Sequence, residues 1–129
     1  MPAPAPGQPR RIFRALYAED VPELRELMRI VLTTEGHTAE CVPDGLAAWE
    51  KIQVEPGRFD LIITDHHMPK MTGLDLVTRL RTTDYAGRII VFSSELSPEV
   101  GQAYRQLKVD VVLPKPIFPV TLRAVLATL

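Results

Sequence analysis

The sequence predicts an α/β protein in which five parallel strands alternate with five helices that cover both faces of the sheet. Two observations carry this. Short apolar runs, among them the uninterrupted Leu61–Ile63 and Ile89–Phe92, alternate with longer segments of helical period. Continuously apolar strands are also what a sheet buried on both faces requires. Alternating elements of this kind imply βαβ units, and right-handed crossovers then place helices on either side of the sheet.

The elements follow in order. Residues 1–9 hold four of the twelve prolines and no charged side chain. Such a stretch cannot offset its ordering entropy by burial, so residues 1–10 read as a loose tail and 11–129 as one domain. Arg10, Arg11 and Arg14 mark a solvated strand entrance, the sharper alternative being a patch for an acidic partner. Phe13–Ala18 is a strand ending in Glu19-Asp20. Pro22 suits a first helical turn, and Leu24, Leu27, Met28, Val31 and Leu32 form one stripe before Gly36 ends the helix. His37–Val42 is a second strand, and Asp44 caps a second helix with Ala48, Trp49 and Ile52 inward. Pro56-Gly57 breaks the chain ahead of the buried strand Asp60–Asp65. The loop HHMPKMTG leads to a helix with Leu74, Val77 and Leu80 on one face. Ile89–Phe92 is the fourth strand, and Ser97-Pro98 opens a helix lined by Val100, Ala103, Tyr104 and Leu107. Val109–Leu113 is the fifth strand, closed by Pro114-Lys115-Pro116, and residues 118–129 are a last helix.

Composition narrows the function classes. The chain has 129 residues, 46% hydrophobic and 24% charged, which suits one globular core. Fifteen basic against sixteen acidic residues give a formal charge of −1, without the basic footprint that nucleic acid demands. The lone Cys41 cannot close an internal disulfide and fits a reducing, cytoplasmic setting; on its short strand it reads as buried and inert. No apolar run approaches the roughly 18 residues of a membrane span, and the start lacks the apolar segment of a secretory signal.

In an open parallel sheet, ligands bind beyond the carboxyl ends of the strands. Glu19 and Asp20 end the first strand, Asp65 the third, Ser93 and Ser94 the fourth, and Lys115 the fifth. Three carboxylates gathered at one edge repel unless a cation lies among them, and all-oxygen ligands suit Mg²⁺. A lysine and a hydroxyl beside that ion make a receptor for an anion. These are the parts of phosphoryl transfer, in which a carboxylate can serve as nucleophile and form an acyl phosphate. Asp65 is the candidate nucleophile because it ends the most buried strand, and Glu19-Asp20 would hold the ion.

Through ALYAED, FDLIITDHHMPKMTGLDL, RIIVFSSE and VVLPKP, the chain resembles the receiver domain of two-component response regulators over about residues 12–129. The resemblance implies a flavodoxin-like (βα)5 fold with strand order 2-1-3-4-5. It implies that Asp65 is the phosphoacceptor, that Asp20 ligates Mg²⁺ directly and Glu19 mainly through water, and that the backbone carbonyl of His67 is a further ligand. Ser93 and Lys115 would each hold a phosphoryl oxygen, and the Lys115-Pro116 bond would be cis. The implied donor is a histidine kinase or a phosphotransfer protein. The implied output is a switched surface on the fourth helix, fifth strand and fifth helix, read by a downstream protein. Val112 stands where the family commonly has an aromatic, so a ring flip in the fifth strand is not available; Lys108 stands where glycine is common.

Other residues carry other expectations. His66, His67 and His37 lack the spacing of a zinc site, and adjacent side chains at a strand end point apart, leaving His66 a plain loop residue. His67 and Glu95, each two positions past a site residue, would flank the water that hydrolyses the acyl phosphate. The last helix has one charge, Arg123, and two largely apolar faces, which suits either small residues tolerated at a chain end or a self-association face. Competing functions are a phosphorylation-independent docking domain and a haloacid-dehalogenase-type phosphatase. The latter wants a second Asp where His67 stands. A flavin module wants a hydroxyl-rich phosphate loop where Glu19-Asp20 would repel phosphate.

Overall fold

A computed structural model describes residues 11–129; the expected tail over 1–10 lies outside the described residues. Strands β1 (Arg14–Ala18), β2 (Thr38–Val42), β3 (Leu61–Asp65), β4 (Arg88–Ser93) and β5 (Val111–Pro114) alternate with helices α1 (Pro22–Thr34), α2 (Gly45–Val54), α3 (Gly73–Leu80), α4 (Pro98–Gln106) and α5 (Pro119–Leu126). The strands form one sheet in the order β2-β1-β3-β4-β5, and every pairing is parallel. This is the flavodoxin-like architecture expected from the sequence.

Side-chain alternation divides the core in two. Leu16, Ala18, Ile62, Ile89 and Val91 face α2, α3 and α4, where they meet Ala48, Ile52, Leu76, Val77, Leu80 and Tyr104. Phe13, Ala15, Tyr17, Leu61, Ile63, Ile90 and Phe92 face α1 and α5, where they meet Met28, Val31, Leu32, Leu122 and Leu126. All five residues of β3 are buried, which explains its unbroken apolar run.

Local signals place the helix ends. Pro22, Pro98 and Pro119 each stand at a helix start, where a missing N–H costs nothing. The Asp44 carboxylate accepts from the Ala47 N–H at 2.8 Å, and Ser97 Oγ accepts from the Val100 N–H at 3.2 Å. Thr72 and Asp75 form a reciprocal capping box on α3. Gly36 leaves α1 at φ +92°, a conformation that side chains resist.

Several boundaries shift. β5 begins at Val111 rather than Val109, because Lys108 adopts φ +59° and the Asp110 carboxylate turns back to accept from the Ile89 N–H at 2.8 Å. His37 precedes β2, its Nδ1 accepting from the Phe13 N–H at 2.9 Å. The last helix stops at Leu126, and Phe118 is its extended N-cap. The α1 stripe is only partly inward: Met28, Val31 and Leu32 are buried, Leu24 is half-buried and Leu27 is exposed. Trp49 is half-buried and packs against the core; Cys41 is half-buried rather than fully buried, and burial still pushes its thiol pKa up.

Candidate functional site at the carboxyl edge of the sheet

The site starts from three strand ends and a loop. β1 delivers Glu19, whose N–H continues the sheet by donating to Val42 O at 3.0 Å. β3 delivers Asp65, and β4 delivers Ser93. The chain after β5 delivers Lys115, whose backbone N–H donates to Ser93 O at 2.8 Å; the Lys115-Pro116 peptide that follows is cis. Met68 and Met71 are buried and anchor the loop after β3 in the core. Gly73 closes that loop by donating its N–H to His66 O at 3.0 Å. Glycine is required there, because an added Cβ would lie 2.5 Å from Asp65 O.

The charged groups meet as the sequence suggests. Lys115 Nζ lies 3.1 Å from Asp65 Oδ2 and 3.1 Å from Glu19 Oε1, bridging the two carboxylates. Asp65 Oδ1 accepts from the His66 N–H at 3.0 Å, and the Thr64 hydroxyl donates to Asp65 O at 2.8 Å. Glu19 is fully buried; it also accepts from the Tyr17 hydroxyl at 3.3 Å and the Val21 N–H at 3.4 Å. Asp20 is exposed. Carboxylate oxygens of Glu19, Asp20 and Asp65 lie within 4.8 Å of one another, the one such group of potential metal ligands among the described residues. Ser93 Oγ is buried without a hydrogen-bond partner.

Burial and charge act on this cluster together. Burial, then the hydrogen bond with Asp20 and the Asp65 charge, raise the Glu19 pKa despite the opposing pull of Lys115. Burial alone would lower the Lys115 pKa, but the hydrogen bonds and charges of Asp65 and Glu19 outweigh it and hold the ammonium above the ordinary lysine value. The one ammonium pairs with two of the three carboxylates, and the hydroxyl at the neighbouring strand end has no partner. That set fits a hard divalent cation together with an anionic ligand.

Two features were missed in the sequence. Tyr17 sends its hydroxyl to Glu19; a tyrosine in a buried strand needs such a partner, and that was the available signal. His66 is not a plain loop residue: its ring is buried, with Nδ1 2.6 Å from the Tyr104 hydroxyl. Burial raises the tyrosine's pKa and lowers the histidine's. We therefore assign the O–H as donor to the Nδ1 of a neutral imidazole. The adjacent rings do not simply diverge, since His66 and His67 touch edge to face at 4.7 Å between centroids. His67 is exposed, and its Nε2 lies 3.4 Å from the backbone oxygen of Glu95.

Comparison with known proteins defines the class. The family model described as the response regulator receiver domain matches residues 15–127, and the chain belongs to that family. Receiver domains act in two-component signalling as phosphoacceptors; they bind Mg²⁺ at an acidic pocket and interact with histidine kinases and downstream effectors. The chemotaxis protein CheY4 of Vibrio cholerae is similar at a TM-score of 0.79 and 31% identity, over 92% of this chain and 98% of that one. A response regulator receiver protein from Pseudomonas putida matches at a TM-score of 0.83 and 26% identity, over 92% of this chain and 98% of its own. The sensory/regulatory protein RpfC of Xanthomonas campestris is 31% identical over 123 residues, which is 92% of this chain but only 17% of RpfC. No helix among the described residues is long and apolar enough to cross a membrane.

Proposed function

We propose that Asp65 accepts a phosphoryl group from the phosphohistidine of a kinase or phosphotransfer protein, in a reaction that needs Mg²⁺. The observation that carries this reading is the pairing of Asp65 Oδ2 with Lys115 Nζ at 3.1 Å, beside the buried, unpartnered Ser93 hydroxyl. In the transfer, a carboxylate oxygen of Asp65 forms a bond to phosphorus as the P–N bond to the donor imidazole breaks; the nitrogen keeps the bonding pair and the imidazole takes up a proton from water. Lys115 then passes from the carboxylate to a phosphoryl oxygen, and Ser93 O–H donates to another. Glu19, Asp20, Asp65 and the His67 carbonyl would hold Mg²⁺, which when bound supplies charge neutralisation to the transferring group. Glu19 keeps Lys115 pointed at the acceptor, since both salt bridges converge on one ammonium. Hydrolysis of the acyl phosphate returns the aspartate, with His67 and Glu95 on the exposed side where water enters.

On this reading the domain over 11–129 works in the cytoplasm as a switch, not as a metabolic enzyme. Its output surface is α4, β5 and α5, contacted by a downstream protein. Self-association through α5 is part of the proposal, supported by the exposure of Phe118 and Val120. The test is incubation with acetyl phosphate and Mg²⁺ followed by intact mass. Wild type gains one phosphoryl group and Asp65→Asn gains none; equal labelling, or none on either, overturns the assignment. Equal partner binding by both proteins would favour phosphorylation-independent docking instead.

A further inference from the structure

We propose that the hydrogen bond between His66 and Tyr104 transmits the state of Asp65 to α4, so that the helix answers phosphorylation through its own buried tyrosine. The inference rests on the reading of Asp65 as phosphoacceptor and adds the route by which its occupancy is felt.

At the Asp65 end, the His66 N–H is shared between Asp65 Oδ1 at 3.0 Å and Phe92 O at 2.9 Å. Phosphorylation turns the carboxylate into a neutral acyl group bearing a phosphate, and that loss of carboxylate charge weakens its claim on the N–H, whichever oxygen carries phosphorus. The peptide of His66 is thus the first group outside the charged cluster to sense the change. Its imidazole cannot follow freely, because Nδ1 is fixed to the Tyr104 hydroxyl at 2.6 Å within the core.

At the far end, α4 hangs on this contact. Tyr104 is its only buried residue, while Val100, Ala103 and Leu107 are half-covered. A helix with so little buried surface belongs to the less stable parts of a fold. Its C-terminal end is pinned: Arg81 donates from Nε to Leu107 O at 2.7 Å and from Nη2 to Lys108 O at 3.1 Å. An open groove of ≈ 640 Å³ runs along the helix from Leu96, Ser97 and Pro98 past Gly101 to Arg105, bounded by Asp110 and the β5 edge, so the unpinned N-terminal half also borders it. A displacement at Tyr104 therefore pivots the N-terminal half of α4 about a fixed C-terminus, with space to receive it. β5 has no equivalent link, since Val111, Val112, Leu113 and Pro114 carry no hydrogen-bonding side chain.

The experiment is hydrogen–deuterium exchange across residues 97–104, with and without beryllofluoride and Mg²⁺, on wild type, Tyr104→Phe and His66→Leu. Intact mass after acetyl phosphate treatment runs in parallel. Wild type should change its exchange in this segment by about fivefold or more, the low end of ordinary site-to-site coupling. Tyr104→Phe should still gain a phosphoryl group yet change by less than about twofold, below that coupling range, and His66→Leu should show the same loss. A full wild-type response in Tyr104→Phe overturns the proposal. So does a phosphorylated wild type whose α4 exchange does not move. A wild type that takes no phosphoryl group removes the underlying reading of Asp65 instead, and the mass measurement separates the two failures. Should the variants fold poorly, the wild type decides alone through the ¹⁵N resonance of His66 Nδ1. It must shift on beryllofluoride loading, and an unchanged resonance overturns the proposal.

Discussion

Replacing Gly73 by alanine sets two physical effects against each other. Gly73 opens α3, and by helix propensity alone alanine would add up to about 1 kcal/mol. The structure predicts the opposite sign. The new Cβ would stand 2.5 Å from Asp65 O, 2.9 Å from the Tyr104 hydroxyl and 3.1 Å from His66 Cα. Ordinary contact distances would require a shift of about 1 Å, and two of these neighbours are backbone atoms that no rotamer change can move. Asp65 O is held by the Thr64 hydroxyl, and the loop is closed by the Gly73–His66 hydrogen bond. Overpacking of this kind costs about 3 kcal/mol at the upper end, leaving a net loss of about 2 kcal/mol after the propensity gain. At roughly 2.1 cal/mol/K per residue, that lowers Tm by about 7 °C. Urea unfolding and calorimetry measure both quantities, and on the proposed function labelling by acetyl phosphate should slow because the backbone carbonyl of Asp65 is displaced. A Gly73→Ala protein as stable as wild type, or more so, would refute the reasoning.

Ser93→Ala removes a buried hydroxyl that has no partner, so stability should hold or rise by up to about 1 kcal/mol. Acetyl phosphate labelling should slow on the order of 100-fold, and an unchanged rate would remove Ser93 from the chemistry. The folded-state pKa of Glu19 is raised above its ordinary value of 4.5, so its stabilising contribution is full below that value and is lost as pH rises through the folded pKa. In EDTA, wild type should therefore lose stability relative to Glu19→Gln as pH climbs from the acid range towards neutrality, and Mg²⁺ should narrow the gap; parallel denaturation curves would contradict this. Sedimentation should show wild type self-associating with concentration and Phe118→Ser/Val120→Ser remaining monomeric, whereas a wild-type monomer throughout would dismiss the α5 interface.

The fold was legible because its determinants are local and repeated. Unbroken apolar strands, proline at two helix starts and the Asp44 cap each point to the same architecture. The acidic cluster was legible for a topological reason: parallel strands deliver their last residues to one edge, so Glu19, Asp65 and Lys115 converge although Lys115 and Glu19 are 96 positions apart. Boundaries failed where one residue's geometry overrode a pattern, as when Lys108 and Asp110 delay β5. Leu27 failed because helical period gives a stripe but not its width, and the outer edge of this one faces solvent. The His66–Tyr104 bond was out of reach. It joins a residue inside the motif, next to Asp65, with an apparent core aromatic 38 positions on, and neither side chain signals the other in sequence.

The central claim is covalent chemistry at one side chain, and reductive trapping tests it most directly. After treatment with acetyl phosphate and Mg²⁺, borohydride converts an aspartyl phosphate to homoserine, which peptide sequencing by mass spectrometry can place. Homoserine at residue 65, absent when EDTA replaces Mg²⁺, is the result this account predicts. Homoserine at another carboxylate, or the same yield without Mg²⁺, would contradict it.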